Sequence, residues 1–233
     1  MGIIRFNDEE VFETDSVEYN ILENATKLIK GTPGAVVEIG TRRAGSTKKM
    51  IDTLVANDDT NRAFFCIDPY GNIDYPYTNK GLKYHYSEQA VKEGDPESTE
   101  IFTNIKLDYD NTMRNRIVPS LYYYAYNAGL EFTFFCLEDS EFFKRYADGV
   151  PVYNEHKHMV NQYALVFFDG PHTNEAVREE VKFFEPRTIK GSVFVFDDIW
   201  MMDHDKVIEE YLFENGWKVL EKTEHKASYC KVK

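Results

Sequence analysis

The chain has 233 residues, 42% of them hydrophobic, and a formal net charge of −13. That length allows one α/β domain with a large core, and the acidic balance argues against a long nucleic-acid partner, because phosphate binding calls for a basic stripe. Its three cysteines, Cys66, Cys136 and Cys230, lack metal-binding spacing, no apolar run is long enough to span a bilayer, and the residues after Met1 lack a signal-peptide core. The expectation is a cytoplasmic protein with reduced thiols and no membrane partner. Gly2 alone makes no myristoylation signal, since Phe6 stands where Ser or Thr is needed.

In chain order, residues 16–30 predict a helix: Ser16 caps it, Val17, Ile21, Leu22, Ala25, Leu28 and Ile29 form one apolar face, and Gly31 ends it. The run Ala35-Val-Val-Glu-Ile39 stops at Gly40 and reads as the first strand. Residues 46–57 are a helix with Met50, Ile51, Leu54 and Val55 inward, and residues 64–68 are the second strand. Residues 70–131 then break the rhythm with turn signals and many tyrosines. A structureless loop of that length is uncommon in a compact domain. The stretch reads as an insertion covering the rim or serving an interface, plus a crossover helix within 112–127 that Pro119 should kink or split. Residues 132–137 and 164–169 are the third and fourth strands, with Cys66 and Cys136 both expected inside buried strands. Residues 173–184 form a helix stopped by Pro186, 193–197 the fifth strand, and 205–215 a helix ended by Gly216. Residues 217–221 and 228–232 close the sheet as a hairpin.

Short apolar runs separated by helical patterns predict a doubly wound, mostly parallel α/β sheet, in which ligands sit outside the carboxyl ends of the strands. Gly40, Asp68, Asp169, Asp197 and Asp198 all fall at those ends. One glycine turn with several carboxylates suits a ribose-bearing cofactor and a metal ion. A dinucleotide fingerprint fails because Arg42 replaces its second glycine, and a phosphate-cradling loop fails because Ser46 stands where lysine is needed. A looser glycine turn remains, with Glu38 two residues before Gly40.

These residues resemble class I S-adenosylmethionine-dependent methyltransferases, and within them the small-molecule O-methyltransferase branch that includes methyltransferase family 24 and the macrocin O-methyltransferases. Val36-Val37-Glu38-Ile39-Gly40 is similar to the family's first motif, and Gly40-Thr-Arg-Arg-Ala-Gly-Ser46 follows its turn with Ala44 replacing one glycine of a pair. The block Asp169-Gly-Pro-His172-Thr, followed by Pro186, Gly191 and Val193-Phe-Val-Phe-Asp-Asp-Ile199, is the strongest match. The resemblance implies a seven-stranded Rossmann-like methyltransferase fold over residues 1–233, with an insertion after the second strand. It implies S-adenosylmethionine as cofactor, held by Glu38, Gly40, Thr41, Arg43, Gly45, Ser46, Asp68, Asp139, Ser140 and Asp169. Asp68 would hold the ribose hydroxyls, Asp139 and Ser140 would lie beside the adenine, and an arginine would contact the methionine carboxylate.

In metal-dependent relatives the acids after the fourth and fifth strands bind a divalent ion, which implies a site at Asp169, Asp197 and Asp198 for magnesium, calcium or manganese. The alternative is that these acids cap the following turns. The carboxylate that often serves as base two residues past the strand-ending acid is absent, since Pro171 occupies that position. His172, beside Asp169, is the candidate base, against the plainer alternative of a residue bound to a helix N-terminus. His156, His158 and His204 are expected to be solvated, as is Arg42. Tyr122, Tyr123, Tyr124 and Tyr126 line either a substrate pocket or a core or subunit interface. The reading is an O-methyltransferase for a small hydroxylated acceptor, with a homo-oligomer among the expectations. The alternative is a non-catalytic binding module on the same fold.

Overall fold

The structure is a computed structural model that describes residues 12–14, 16–71, 77–79, 82–84, 111–154 and 156–233. Residues 1–11, read above for targeting signals, and most of the 70–110 stretch lie outside the described residues. In chain order the elements are α1 (Tyr19–Leu28), β1 (Ala35–Ile39), α2 (Gly45–Ala56), β2 (Ala63–Ile67), β3 (Tyr77–Asn79), β4 (Leu82–Tyr84), α3 (Asn111–Asn127) and β5 (Glu131–Phe135). They continue with α4 (Asp139–Arg145), β6 (Val150–Asn154), β7 (His156–Val160), β8 (Tyr163–Phe168), α5 (Asn174–Phe184), β9 (Val193–Phe196), α6 (Glu210–Glu214), β10 (Trp217–Lys222) and β11 (Ala227–Lys231). Seven strands form one sheet in the order β10-β11-β9-β8-β1-β2-β5, parallel except where β11 pairs antiparallel with both β9 and β10. This is the doubly wound sheet and closing hairpin that the sequence predicts.

The central strands are buried on both faces, so side-chain alternation divides the core in two. Val36, Phe64, Phe132 and Leu165 meet Ile21, Leu22, Met50, Ile51, Leu54, Met113 and Ile117 from α1, α2 and α3 on one side. Val37, Phe65, Phe135 and Val166 meet Phe142, Val177, Val181, Phe184 and Leu212 on the other. Phe184 is fully buried, and its ring meets Tyr163 edge-on at 4.9 Å between centroids.

Several expectations are corrected. Helix α1 begins at Tyr19, and Ser16 does not cap it; the Ser16 hydroxyl accepts a hydrogen bond from Lys226 Nζ instead. Val17, Leu28 and Val55 are exposed: Val17 lies before the start of α1, and Leu28 and Val55 sit in the last turn of their helices. Helix α3 runs unbroken through Pro119. Cys136 is exposed, because β5 ends at Phe135 and leaves it beyond the strand. His204 is buried, with its Nε2 2.9 Å from the Tyr229 hydroxyl, and burial lowers its pKa to about 4. Helix α4 and the β6–β7 hairpin were not foreseen, and the predicted 205–215 helix opens with a π-helical turn at Asp205–Glu209. His156 and His158 are exposed on β7, as expected.

Of the α3 tyrosines, Tyr123 and Tyr126 face solvent. Tyr122 accepts a hydrogen bond from the Phe134 N–H of edge strand β5, and Tyr124 packs against Phe12 and hydrogen-bonds Asp52. They cover a sheet edge and a helix rather than converge on one pocket.

One buried acid joins β1 to α2. Glu38 is fully buried in mid-sheet and accepts hydrogen bonds from the hydroxyls of Ser46 and Thr47, in the first turn of α2, and from Cys66 Sγ at 3.4 Å. Burial raises its pKa to about 7 against the lowering effect of those hydrogen bonds, and the charge of Asp68 adds to the rise. The folded protein therefore holds this proton between pH 4.5 and about 7 while the unfolded chain has released it. Stability falls as pH rises through that window, by about 1.4 kcal/mol per pH unit from this group. Glu38→Gln should remove this slope, read as the difference in denaturation midpoint between variant and wild type at the two ends of the window. For the core, Phe184→Ala should cost about 3–5 kcal/mol. Leu28→Ala should stay within about 0.5 kcal/mol, and chemical denaturation measures both.

Candidate active site

The carboxyl ends of the four parallel strands at the sheet centre are laced together one residue past each strand. Gly40 N–H donates to the Ile67 carbonyl (2.9 Å), Asp169 N–H to Ile39 (3.0 Å) and Asp197 N–H to Phe168 (2.9 Å). Asp68 N–H donates to Phe135 (3.0 Å), so Asp197, Asp169, Gly40 and Asp68 stand in a row along the rim. The strand order reverses between β1 and β8, so Gly40 and Asp169 flank the switch point where ligands bind in such sheets.

Gly40 has φ +84°, and a Cβ there would lie 1.9 Å from the Asp169 carbonyl oxygen. Only glycine allows both the left-handed backbone and that approach. Arg42 and Ala44 also have positive φ, so the turn curls tightly into α2. Glu38 and Ser46 support the turn from below through their mutual hydrogen bond, both side chains being buried. Gly45 lies under the Glu13 backbone, where a Cβ would meet the carbonyl oxygen at 2.4 Å. Arg43 ion-pairs with Glu13. The chain before α1 therefore packs against the turn.

Asp68 is fully buried, and its carboxylate accepts the backbone N–H groups of Thr41 (2.8 Å), Arg42 (2.9 Å) and Tyr70 (2.8 Å). Its visible task is to fasten the glycine turn to the end of β2. Tyr70, also buried, donates its hydroxyl to the Arg42 carbonyl at 2.6 Å. Arg42 is thus only partly exposed, and its backbone is held at both N–H and C=O. Asp139 and Ser140 open α4, with Ser140 N–H donating to Asp139 Oδ1 at 2.6 Å.

On the other side of the switch point, Asp169, His172 and Asp198 converge. His172 Nε2 lies 3.5 Å from Asp198 Oδ2 and 4.0 Å from Asp169 Oδ1. The His172 side chain is 8% exposed while Asp169 and Asp198 are 21% and 30% exposed, so the carboxylates face the opening and the imidazole backs them. One ligand atom from each residue fits within 4.8 Å of the others, which suits a small divalent ion with mixed oxygen and nitrogen donors.

Asp197 does not join this set. It is 1% exposed and pairs with the equally buried Lys226, whose Nζ lies 2.6 Å from Oδ1. The ammonium and the Asp198 N–H both meet Oδ1, while the buried Oδ2 has no hydrogen-bond partner among the described residues; the group of three converging ligand atoms contains His172 and not Asp197.

Two buried ionisable residues were missed. Glu180 lies on the inward stripe of α5 with Val177, Val181 and Phe184, so its spacing carries the signal. Burial holds its carboxyl well above the usual range, helped by the charge of Asp139. Lys226 precedes β11 in a polar turn, and nothing in its local sequence marks it as buried.

A family model described as a methyltransferase domain, that of methyltransferase family 24, matches residues 37–199. No curated protein matches the sequence. Among solved structures, the fold is similar to the O-methyltransferase NovP, with 16% identity, a TM-score of 0.57, and 92% of this chain and 79% of that one covered. It is similar to the calicheamicin methyltransferase CalS11, with 14% identity, a TM-score of 0.52, and 90% and 77% covered. It is also similar to the O-methyltransferase TomG of Streptomyces achromogenes, involved in tomaymycin synthesis and solved with S-adenosylmethionine, with 9% identity, a TM-score of 0.50, and 95% and 82% covered. The glycine turn at the switch point, the seven-stranded sheet and a family match over most of the chain converge: the chain belongs to methyltransferase family 24 and is an S-adenosylmethionine-dependent methyltransferase.

Proposed function

We propose that this enzyme methylates a hydroxyl oxygen of a small hydroxylated molecule, a sugar or a phenol, at the cluster of Asp169, His172 and Asp198. The convergence of these three groups beside the cofactor turn carries the reading. NovP and TomG are O-methyltransferases, which supports an oxygen acceptor. When bound, S-adenosylmethionine supplies an electrophilic methyl group on a sulfonium. The chain's own part is to hold donor and acceptor in line, the largest source of rate in such a transfer, and to receive the hydroxyl proton at His172 Nε2. Asp169 and Asp198, 4.0 and 3.5 Å from that nitrogen, orient the imidazole.

The 4.8 Å cluster favours a second reading, in which Asp169, His172 and Asp198 hold a divalent ion. Such an ion would lower the pKa of the acceptor hydroxyl. His172 Nε2 would then be a ligand and not the proton acceptor.

Residues 70–131 are proposed to supply the acceptor half of the site. In support, β3 lies against the short turn Ile199–Met201 that directly follows Asp198. Asp139 and Ser140, at the start of α4, are proposed to border the adenine.

Calorimetry should show that the wild type binds S-adenosylhomocysteine. Asp68→Ala should weaken that binding by about tenfold or more, because two charge-assisted hydrogen bonds to the turn, from Thr41 and Arg42, are lost. Absence of binding by the wild type would remove the cofactor reading. With an acceptor in hand, His172→Ala should lower turnover by about two to four orders of magnitude while cofactor affinity holds. If chelator leaves wild-type turnover intact, the loss belongs to the base; if chelator abolishes turnover, His172 is a ligand.

A further inference from the structure

The Lys226 side chain is fully buried and makes four contacts. Its Nζ lies 2.6 Å from Asp197 Oδ1 and 2.6 Å from Ser16 Oγ. The ring centroids of Tyr19 and Phe167 lie 5.3 and 5.9 Å away, within range of a cation–π attraction. The ammonium is thus enclosed by the end of β9, the face of β8 and the entry to α1. Asp197 Oδ1 has a second donor, the backbone N–H of Asp198 at 2.8 Å. Asp198 itself stands at φ +47°, in the left-handed region that aspartate enters more readily than most non-glycine residues. In that pose its Oδ2 reaches 3.5 Å from His172 Nε2. These contacts form one line: Lys226 to Asp197, Asp197 to the Asp198 backbone, and Asp198 to His172.

We infer that Lys226 withdraws Asp197 from ion binding and uses it to set the pose of Asp198, so that the ion site comprises Asp169, His172 and Asp198 with Lys226 and Asp197 as positioning residues. The inference rests on the ion-holding reading of the cluster. A carboxylate already neutralised by a buried ammonium gains little from a second cation, whereas removing the ammonium leaves it free to seek one. Asparagine at position 197 keeps an oxygen that can accept both the Lys226 and Asp198 hydrogen bonds, so it tests the charge without removing the hold.

The probe is Mn2+, titrated into the full chain and followed by the paramagnetic resonance signal of the free ion, with S-adenosylhomocysteine binding as the check that each variant folds. Asp198→Asn and Asp169→Asn should weaken Mn2+ binding by about tenfold or more. Asp197→Asn should leave it within about threefold of wild type, well below the effect of losing a ligand. Lys226→Met should tighten it by about tenfold as Asp197 becomes available, and the double variant Lys226→Met/Asp197→Asn should return to the wild-type value. Weakening by Asp197→Asn as large as by Asp198→Asn overturns the inference while leaving the ion reading in place. Mn2+ affinity unchanged in a folded Lys226→Met also overturns it. Should Lys226→Met fail to fold, Asp197→Asn decides alone. Failure of the wild type to bind Mn2+ removes the ion reading and the inference with it.

Discussion

The architecture of the site depends on one backbone approach. Where the sheet changes direction, the chain leaving β1 must pass against the chain leaving β8, and Gly40 is the residue that lets it. Its left-handed backbone and missing Cβ bring the Asp169 carbonyl into the space a side chain would fill. This contact places the glycine turn on one side of the switch point and Asp169 on the other. A cofactor at the turn and an acceptor at Asp169, as proposed above, would then be neighbours.

Such a rim gathers acids that would repel one another if all faced the same opening. The structure separates them by giving each a different partner. Glu38 lies beneath the turn, holds two helix hydroxyls and keeps a raised pKa. Asp68 spends its charge on three backbone N–H groups. Asp197 is met by a buried ammonium. Of these five acids, Asp169 and Asp198 remain partly exposed, with His172 beside both.

The segment before α1 takes part in both halves of the site. Phe12 packs in the core and against Tyr124, Glu13 covers Gly45 and pairs with Arg43, and Ser16 accepts from Lys226. A polar stretch of ordinary appearance therefore braces the cofactor turn and also closes the cage around the ammonium that holds Asp197.

The sequence by itself determined the sheet, its direction and its rim. Apolar runs of four to six residues ending at Gly40, Asp68, Asp169 and Asp197 record local backbone and burial requirements, and such requirements are written residue by residue. The glycine turn was legible for the same reason, since Gly40 answers a local demand on φ. Only the tertiary structure decided which acids are buried against a partner and which stay partly exposed. Asp197 and Asp198 are adjacent and chemically identical, and what separates them is Lys226, brought from 28 to 29 positions away by the antiparallel pairing of β11 with β9. His204 was read as solvated because its sequence neighbours are polar, yet Tyr229 from the same distant strand encloses it. Periodicity reports which face of an element is buried, but the partner of a buried charge arrives through long-range strand pairing that no local pattern encodes.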